Sequence, residues 1–101
     1  MKLYIDTTAR DKIVVGLDDK KYITQSIKEK SQRLLPFINE VLVKIGKDFS
    51  SIKAIEFKEG PGSFTGLRVG LAVAYAIAWN YKIPINGKKI WKGELIKLKY
   101  D

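Results

Sequence analysis

The chain has no cysteine and no histidine among its 101 residues. Without cysteine there are no disulfides, no thiolate metal sites and no cysteine nucleophile. Without histidine, the usual general base, the usual zinc ligand and any Ser-His-Asp arrangement are excluded. Long apolar runs are missing too: the uncharged stretch from Val69 to Trp79 is well short of the ~20 residues that span a bilayer. The segment Met1–Asp6 is too short and polar for a signal peptide, so a soluble cytoplasmic protein with no membrane association is expected.

What remains is one small α/β domain with an excess of positive charge. The length fits a single domain, and the formal net charge is +8. Half of that excess lies in the last twenty residues, where six lysines face only Glu94 and Asp101. A basic tail of this kind attracts RNA phosphates, which marks Lys88, Lys89, Lys92, Lys97 and Lys99 as candidate RNA contacts. The same lysines also serve solubility.

The most distinctive stretch runs from Gly60-Pro61-Gly62-Ser63-Phe64-Thr65-Gly66 through Leu67-Arg68-Val69-Gly70 to Trp79. Strand-like Ser51–Phe57 precedes it, the Gly-Pro-Gly turn ends that strand, and Ser63 or Thr65 caps a helix. Gly66, Gly70, Ala74 and Ala78 recur every four residues and form a bare ridge, which offsets the ~1 kcal/mol cost of mid-helix glycine only if another backbone packs closely against it. Leu67, Leu71, Val73, Tyr75 and Ile77 make the other side apolar, so this helix needs cover all round.

In chain order, Leu3–Ile5 form a strand running into Asp6-Thr7-Thr8, and Ile13–Leu17 form a second. After the Asp18-Asp19-Lys20 turn, Tyr22–Thr24 begin a third, antiparallel to the second. A helix follows, with Ser26–Glu29 fitting a capping box or Ser31 serving as a later cap. Pro36 favours the later start, since proline is tolerated in an opening turn, and Gly46 supplies the left-handed stop. Leu35, Ile38, Leu42 and Ile45 read as the inward stripe; Leu34, Phe37 and Val41 form a second stripe beyond what one small sheet covers, and surplus apolar surface marks a partner. Ile83–Ile85 read as a short final strand. The lobe is placed at residues 1–86, with the tail from 87 to 101 leaning towards strand.

These motifs suit two chemistries in part. Asp6, Thr7, Gly60, Gly62 and Ser63 gather polar groups and bare backbone of the kind that cradles a phosphate; equally, Asp6 simply caps its turn. The Walker ending Gly-Lys-Ser/Thr is replaced by Gly66-Leu67-Arg68, and the glycine spacing misses the dinucleotide fingerprint. A ribonuclease H-like nuclease needs converging carboxylates. Asp6 with Glu56 or Glu59 supplies two, and no acid lies between Gly60 and Gly93 to supply a third there. A stand-alone basic RNA-binding module is the other alternative.

The Gly60–Gly70 motif, together with Ile5-Asp6-Thr7-Thr8 and Ser31-Gln32-Arg33-Leu34-Leu35-Pro36, resembles the TsaB (YeaZ) family of tRNA threonylcarbamoyladenosine biosynthesis proteins. The resemblance extends from Met1 to about Asn86. It implies an actin-like (ASKHA, ribonuclease H-like) lobe: a three-stranded antiparallel meander followed by helix, strand, helix, strand. It further implies a non-catalytic subunit without metal or cofactor that activates a TsaD-like threonylcarbamoyltransferase. Its implied partners are that enzyme, a TsaE-like ATPase and a second copy of itself, with weak or indirect tRNA contact. On this reading the interface residues are Leu34, Phe37 and Val41 on the first helix and Gly66, Val69, Gly70, Val73 and Ala74 on the second. A bulky residue at Gly70 is then expected to abolish association while leaving the monomer folded. Two departures stand out: Lys30 occupies a position where family members often carry histidine, and the family's second lobe has no counterpart in this sequence.

Overall fold

The computed structural model describes residues 1–26 and 30–100. A four-stranded sheet carries two helices on one face. The strands are β1 (Lys2–Asp6), β2 (Lys12–Leu17), β3 (Lys20–Gln25) and β4 (Ala54–Phe57), and the helices are α1 (Lys30–Lys44) and α2 (Phe64–Tyr81). The sheet order is β3-β2-β1-β4, antiparallel across the meander and parallel between β1 and β4. This is the expected actin-like α/β architecture.

Register follows from alternation. Leu3 lies opposite Leu17 and Ile55, and Ile5 opposite Val15 and Phe57; these side chains are buried under the helices. The intervening positions face outwards. There Tyr4 is half-buried beside Gly16, Glu56 is exposed and ion-paired to Lys2, and the Lys21 ammonium lies 4.6 Å from the Tyr4 ring centre. A strand period of two is thus spent on one buried face and one solvated face.

Helix α1 corrects two expectations. Leu34, Phe37, Ile38, Val41 and Leu42 are buried, whereas Leu35 and Ile45 are exposed. At about 100° per residue the buried set falls on one continuous arc, with Leu35 at its edge. Ile45 lies beyond the last helical residue, in the turn closed by Gly46 at φ +73°. Ser31 is inside the helix, so Pro36 is an interior proline and not part of an opening turn. Pro36 is on the exposed side, where the carbonyl it leaves unpaired is not sealed in the core. The capping box reading, Ser26–Glu29, involves residues 27–29, outside the described residues.

Helix α2 starts as expected: the Ser63 hydroxyl accepts the Gly66 N–H at 3.1 Å. It ends on Lys82 in the left-handed conformation, φ +55°. The expected final strand is reduced to one parallel bridge between Ile55 and Ile85, with Ile83 and Ile85 buried. Ile85 and Lys88 exchange both backbone bonds across Asn86-Gly87, both at positive φ, a two-residue turn that suits Asn-Gly. The Asn86 amide takes over part of the missing strand's role, accepting the Phe57 N–H at 2.8 Å and donating to the Phe57 carbonyl at 3.0 Å.

Beyond that turn the chain returns along α2. Ile90 and Ile96 are buried in the core, the Ile96 N–H donates to the Tyr75 hydroxyl at 3.0 Å, and the Lys99 N–H donates to the Glu59 carbonyl at 2.8 Å. A lone parallel bridge joins Gly62 and Tyr100. Much of the cover α2 requires is therefore supplied by its own C-terminal segment.

Replacing Asn86 by alanine leaves Phe57 N–H and C=O without those partners. Urea denaturation should show a loss of about 1–3 kcal/mol, and an unchanged midpoint would show that the side-chain bonds do not hold the strand edge.

Candidate functional site

Two regions hold the residues singled out from the sequence: the junction between the end of β1 and the start of α2, and the outward faces of the two helices. The junction is packed solid. Thr7 is fully buried and its hydroxyl donates to the Gly66 carbonyl at 2.6 Å. A Cβ placed on Gly66 would lie 2.5 Å from the Thr7 carbonyl oxygen, and one on Gly70 would lie 2.3 Å from Thr7 Oγ1 and 2.8 Å from the Phe57 ring. The glycine ridge does admit a neighbouring backbone, as its spacing required. That backbone is the chain's own, at Thr7, and not a partner's.

The remaining polar positions of the junction are turned inwards on the fold. Asp6 accepts bonds from the Thr8 N–H at 2.9 Å and the Thr8 hydroxyl at 2.6 Å, the turn-capping role. Gly62 packs on Thr8, and Gly60 lies against the Lys99 backbone. Ser63 is occupied as the α2 cap. Asp6, Thr7, Gly60, Gly62 and Ser63 thus each have an internal partner, with Gly62 placed against Thr8 and Gly60 against the C-terminal segment. Among the described residues, no three acid, histidine or cysteine side chains gather in a metal-holding group.

Lys30 is the unusual member. It is only 8% exposed, and its ammonium donates to the carbonyls of Thr7 and Ala9. Burial pushes its pKa below the ordinary lysine value, opposed by the charges of Asp11 and Asp6. It ties α1 to the chain leaving β1 and borders a small cleft of about 160 Å³ with Arg10, Ser31 and Val69. Nothing in helical periodicity marks this position; a lysine flanking an apolar run reads as surface.

The expected interface set divides. Leu34, Phe37 and Val41 are buried beneath α1, and Gly66, Gly70 and Ala74 are buried along α2. Their surface is already used within the protomer, because one apolar arc of α1 and the bare edge of α2 meet the sheet. Val69 and Val73 are partly buried against the core and keep only a minor part of their surface open, one turn apart. On α1, Leu35 is 45% exposed and shares a groove of about 400 Å³ with Phe49, Ala76, Ile77 and Tyr81. The outward apolar seam is therefore Leu35, Val69, Val73 and Ala76. The sequence signal for Leu35 was present but assigned to the wrong side. The five tail lysines, Lys88, Lys89, Lys92, Lys97 and Lys99, are all exposed.

The family model for TsaD, tRNA N6-adenosine threonylcarbamoyltransferase, matches residues 23–87. The chain belongs to this family. Within it the chain is TsaB/YeaZ-like. It is 37% identical over 60 residues to the tRNA threonylcarbamoyladenosine biosynthesis protein TsaB of Escherichia coli (strain K12), covering 59% of this chain and 26% of that protein. The TsaB of Buchnera aphidicola subsp. Schizaphis graminum is 34% identical over 89 residues, 84% of this chain and 42% of the relative. The solved structure of YeaZ from Pseudomonas aeruginosa superposes with a TM-score of 0.69 at 28% identity, over 83% of this chain and 40% of that one. The chain thus spans less than half the length of these relatives.

Two measurements test the junction. Gly70→Ala should gain about 1 kcal/mol of helix propensity and lose more to overpacking, about 1–3 kcal/mol, so the urea midpoint should fall; Gly70→Val should fall further. A stabilised alanine variant would show that Thr7 does not press on the helix. For Lys30, whose folded pKa lies below its unfolded value of 10.5, the unfolded chain binds more protons between the two values. Stability then rises with pH through that window, and the cost of burying the charge is fully present below it. Comparing urea unfolding from pH 7 to pH 10, the wild type should gain on Lys30→Met as pH rises. A pH-independent difference would mean that burial does not perturb the ammonium.

Proposed function

We propose that this chain is a non-catalytic subunit in tRNA N6-threonylcarbamoyladenosine biosynthesis that docks on a TsaD-like threonylcarbamoyltransferase through the outward seam of α1 and α2. The observation that carries the reading is the seam itself: Leu35 is exposed and Val69 and Val73 are partly exposed on two helices packed against each other. An apolar patch on a small domain is a protein-contact surface, and its centre contributes most of the binding energy. The names of the TsaB relatives supply the process. The non-catalytic role is supported by the absence of histidine and cysteine and by the internal bonding of Asp6. The same seam serves a homodimer when the transferase is absent, and a TsaE-like ATPase joins the assembled pair.

The docking surface differs from the one that side-chain spacing alone indicates. Leu34, Phe37, Val41 and Gly70 support the helices from beneath, so changing them would unfold the lobe before it exposed any binding defect. Leu35 and Val73 are the informative positions. A glutamate at either replaces no fully buried side chain and places a charge in the seam.

Association with the TsaD-like enzyme of the same organism, followed by sedimentation, should weaken at least tenfold in Leu35→Glu and in Val73→Glu. Each removes a side chain whose burial is worth about 1.5–3 kcal/mol, and thermal melting should stay near wild type. Reconstituted threonylcarbamoylation of tRNA should fall in parallel. Undiminished association in both variants would place the interface elsewhere.

A further inference from the structure

The C-terminal segment runs back along α2, from Tyr75 towards the start of the helix. Near the middle of α2 the Ile96 N–H donates to the Tyr75 hydroxyl at 3.0 Å. At the other end Tyr100 bridges to Gly62, and its ring centre lies 5.0 Å from that of Phe64. Between helix and segment is a groove of about 440 Å³, lined by Arg68, Leu71, Ala72 and Tyr75 on α2 and by Leu98 and Tyr100 on the segment. Residues three and four apart share one helix face, and the rise from Arg68 to Tyr75 is about 10 Å. The groove therefore has a long axis, and its ends differ. Arg68 is exposed at one end, its guanidinium 5.0 Å from the Phe64 ring centre, and among the described residues it has no ion-pair partner. The middle is apolar, with Leu71 and Leu98 packed partly into the core and the small Ala72 exposed. At the far end the Tyr75 hydroxyl, having accepted the Ile96 N–H, keeps its own proton to donate.

We infer that this groove binds a linear monocarboxylic acid, with the carboxylate on Arg68 and the hydrocarbon chain laid along Leu71, Ala72 and Leu98 towards Tyr75. The charge of the lining selects a monoanion. Among the described residues Arg68 is its one cationic side chain, because Lys99 lines a separate cleft with Glu56 and Glu59. A single guanidinium presents a planar fork of donors that a carboxylate accepts in two parallel bonds. A polyanion would leave its further charges against leucine. The apolar middle selects the rest of the ligand, since aliphatic walls gain from covering an alkyl chain and offer nothing to a polar one. The volume lies within the ~300–1,000 Å³ of small-molecule sites, which combine mostly apolar walls with a few placed polar groups.

This inference goes beyond the docking role and stands without it, because no residue of α1 lines the groove. In the sequence Leu71 and Tyr75 read only as the apolar side of a helix that needs cover. The structure shows that the cover is incomplete, and that the gap it leaves carries a cation at one end only.

The test is NMR titration of the isotope-labelled full chain with octanoate, with octanol as its uncharged counterpart, and with butyrate and hexanoate. Octanoate should shift the amides of Leu71, Ala72 and Leu98 and the Arg68 side chain. Arg68→Gln should weaken it by about ten- to 150-fold, the usual worth of hydrogen bonds to a charged group, with an unchanged melting temperature. Ala72→Phe, which fills the groove from an exposed position, should abolish binding. Affinity should climb from butyrate through hexanoate to octanoate by up to about fourfold per methylene. Equal binding of octanol and octanoate, or equal binding of octanoate by wild type and Arg68→Gln, would remove the carboxylate anchor and overturn the assignment. No shifts at millimolar octanoate, or shifts confined to residues outside the groove, would overturn it outright. Loss of transferase association in Ala72→Phe, with no octanoate binding by wild type, would assign the groove to a protein partner instead. Because Leu35→Glu leaves the groove intact, it should bind octanoate as wild type does whether or not it still docks on the transferase. Failure of the groove is thereby distinguishable from failure of the docking role.

Discussion

The approach of Thr7 to the helix, its backbone against Gly66 and its side chain against Gly70, is the contact on which the rest of this lobe depends. It joins the first strand to the last helix, and the Thr7 hydroxyl closes it with a bond to Gly66. With the helix seated there, Leu67, Ala74 and Ala78 join the same buried core as Ile5 and Phe57. Lys30 then brings the start of α1 to the same point through the carbonyls of Thr7 and Ala9. A buried ammonium is a costly way to anchor a helix, tolerated here because two carbonyls receive it and two carboxylates lie within Coulombic reach.

That single contact also decides what the surface offers. Seating α2 by its bare edge leaves Val69 and Val73 partly open, and α1 presents Leu35 beside Ala76 and Ile77. Residues such as Phe37 and Val41 are consumed in holding the two helices down. Surplus apolar area therefore exists, as the composition of the helices requires, but it is a narrower seam in a different place. On the far side of α2, the returning C-terminal segment covers Leu71 and Tyr75 and leaves a groove behind, framed by cationic and aromatic side chains. The two sides of one helix thus carry different chemistry, apolar towards α1 and cationic-aromatic towards the tail.

Much was legible in the residues themselves. Period-two alternation in Leu3–Ile5 and Ile13–Leu17, the Ser63 cap, the Gly46 stop and the Gly60–Gly70 motif each rest on interactions between near neighbours in the chain. They specified the order of the elements and the family. Less legible was the start of α1. Pro36 suggests an opening turn only where its ring would otherwise remove a buried bond, and on a solvent-facing side that penalty is small enough for tertiary packing to override.

By itself, then, the sequence determined the α/β lobe, the membership of its family, the lack of cysteine and histidine chemistry, and the need for some backbone to lie against the glycines. Only the tertiary structure decided that this backbone is Thr7, that Leu34 and Phe37 point inwards while Leu35 points out, and that the basic tail folds back to build a groove. The reason is physical. Periodicity measures how wide an apolar arc is, but its orientation is set by contacts between residues far apart in the chain, and those have no signature in local spacing.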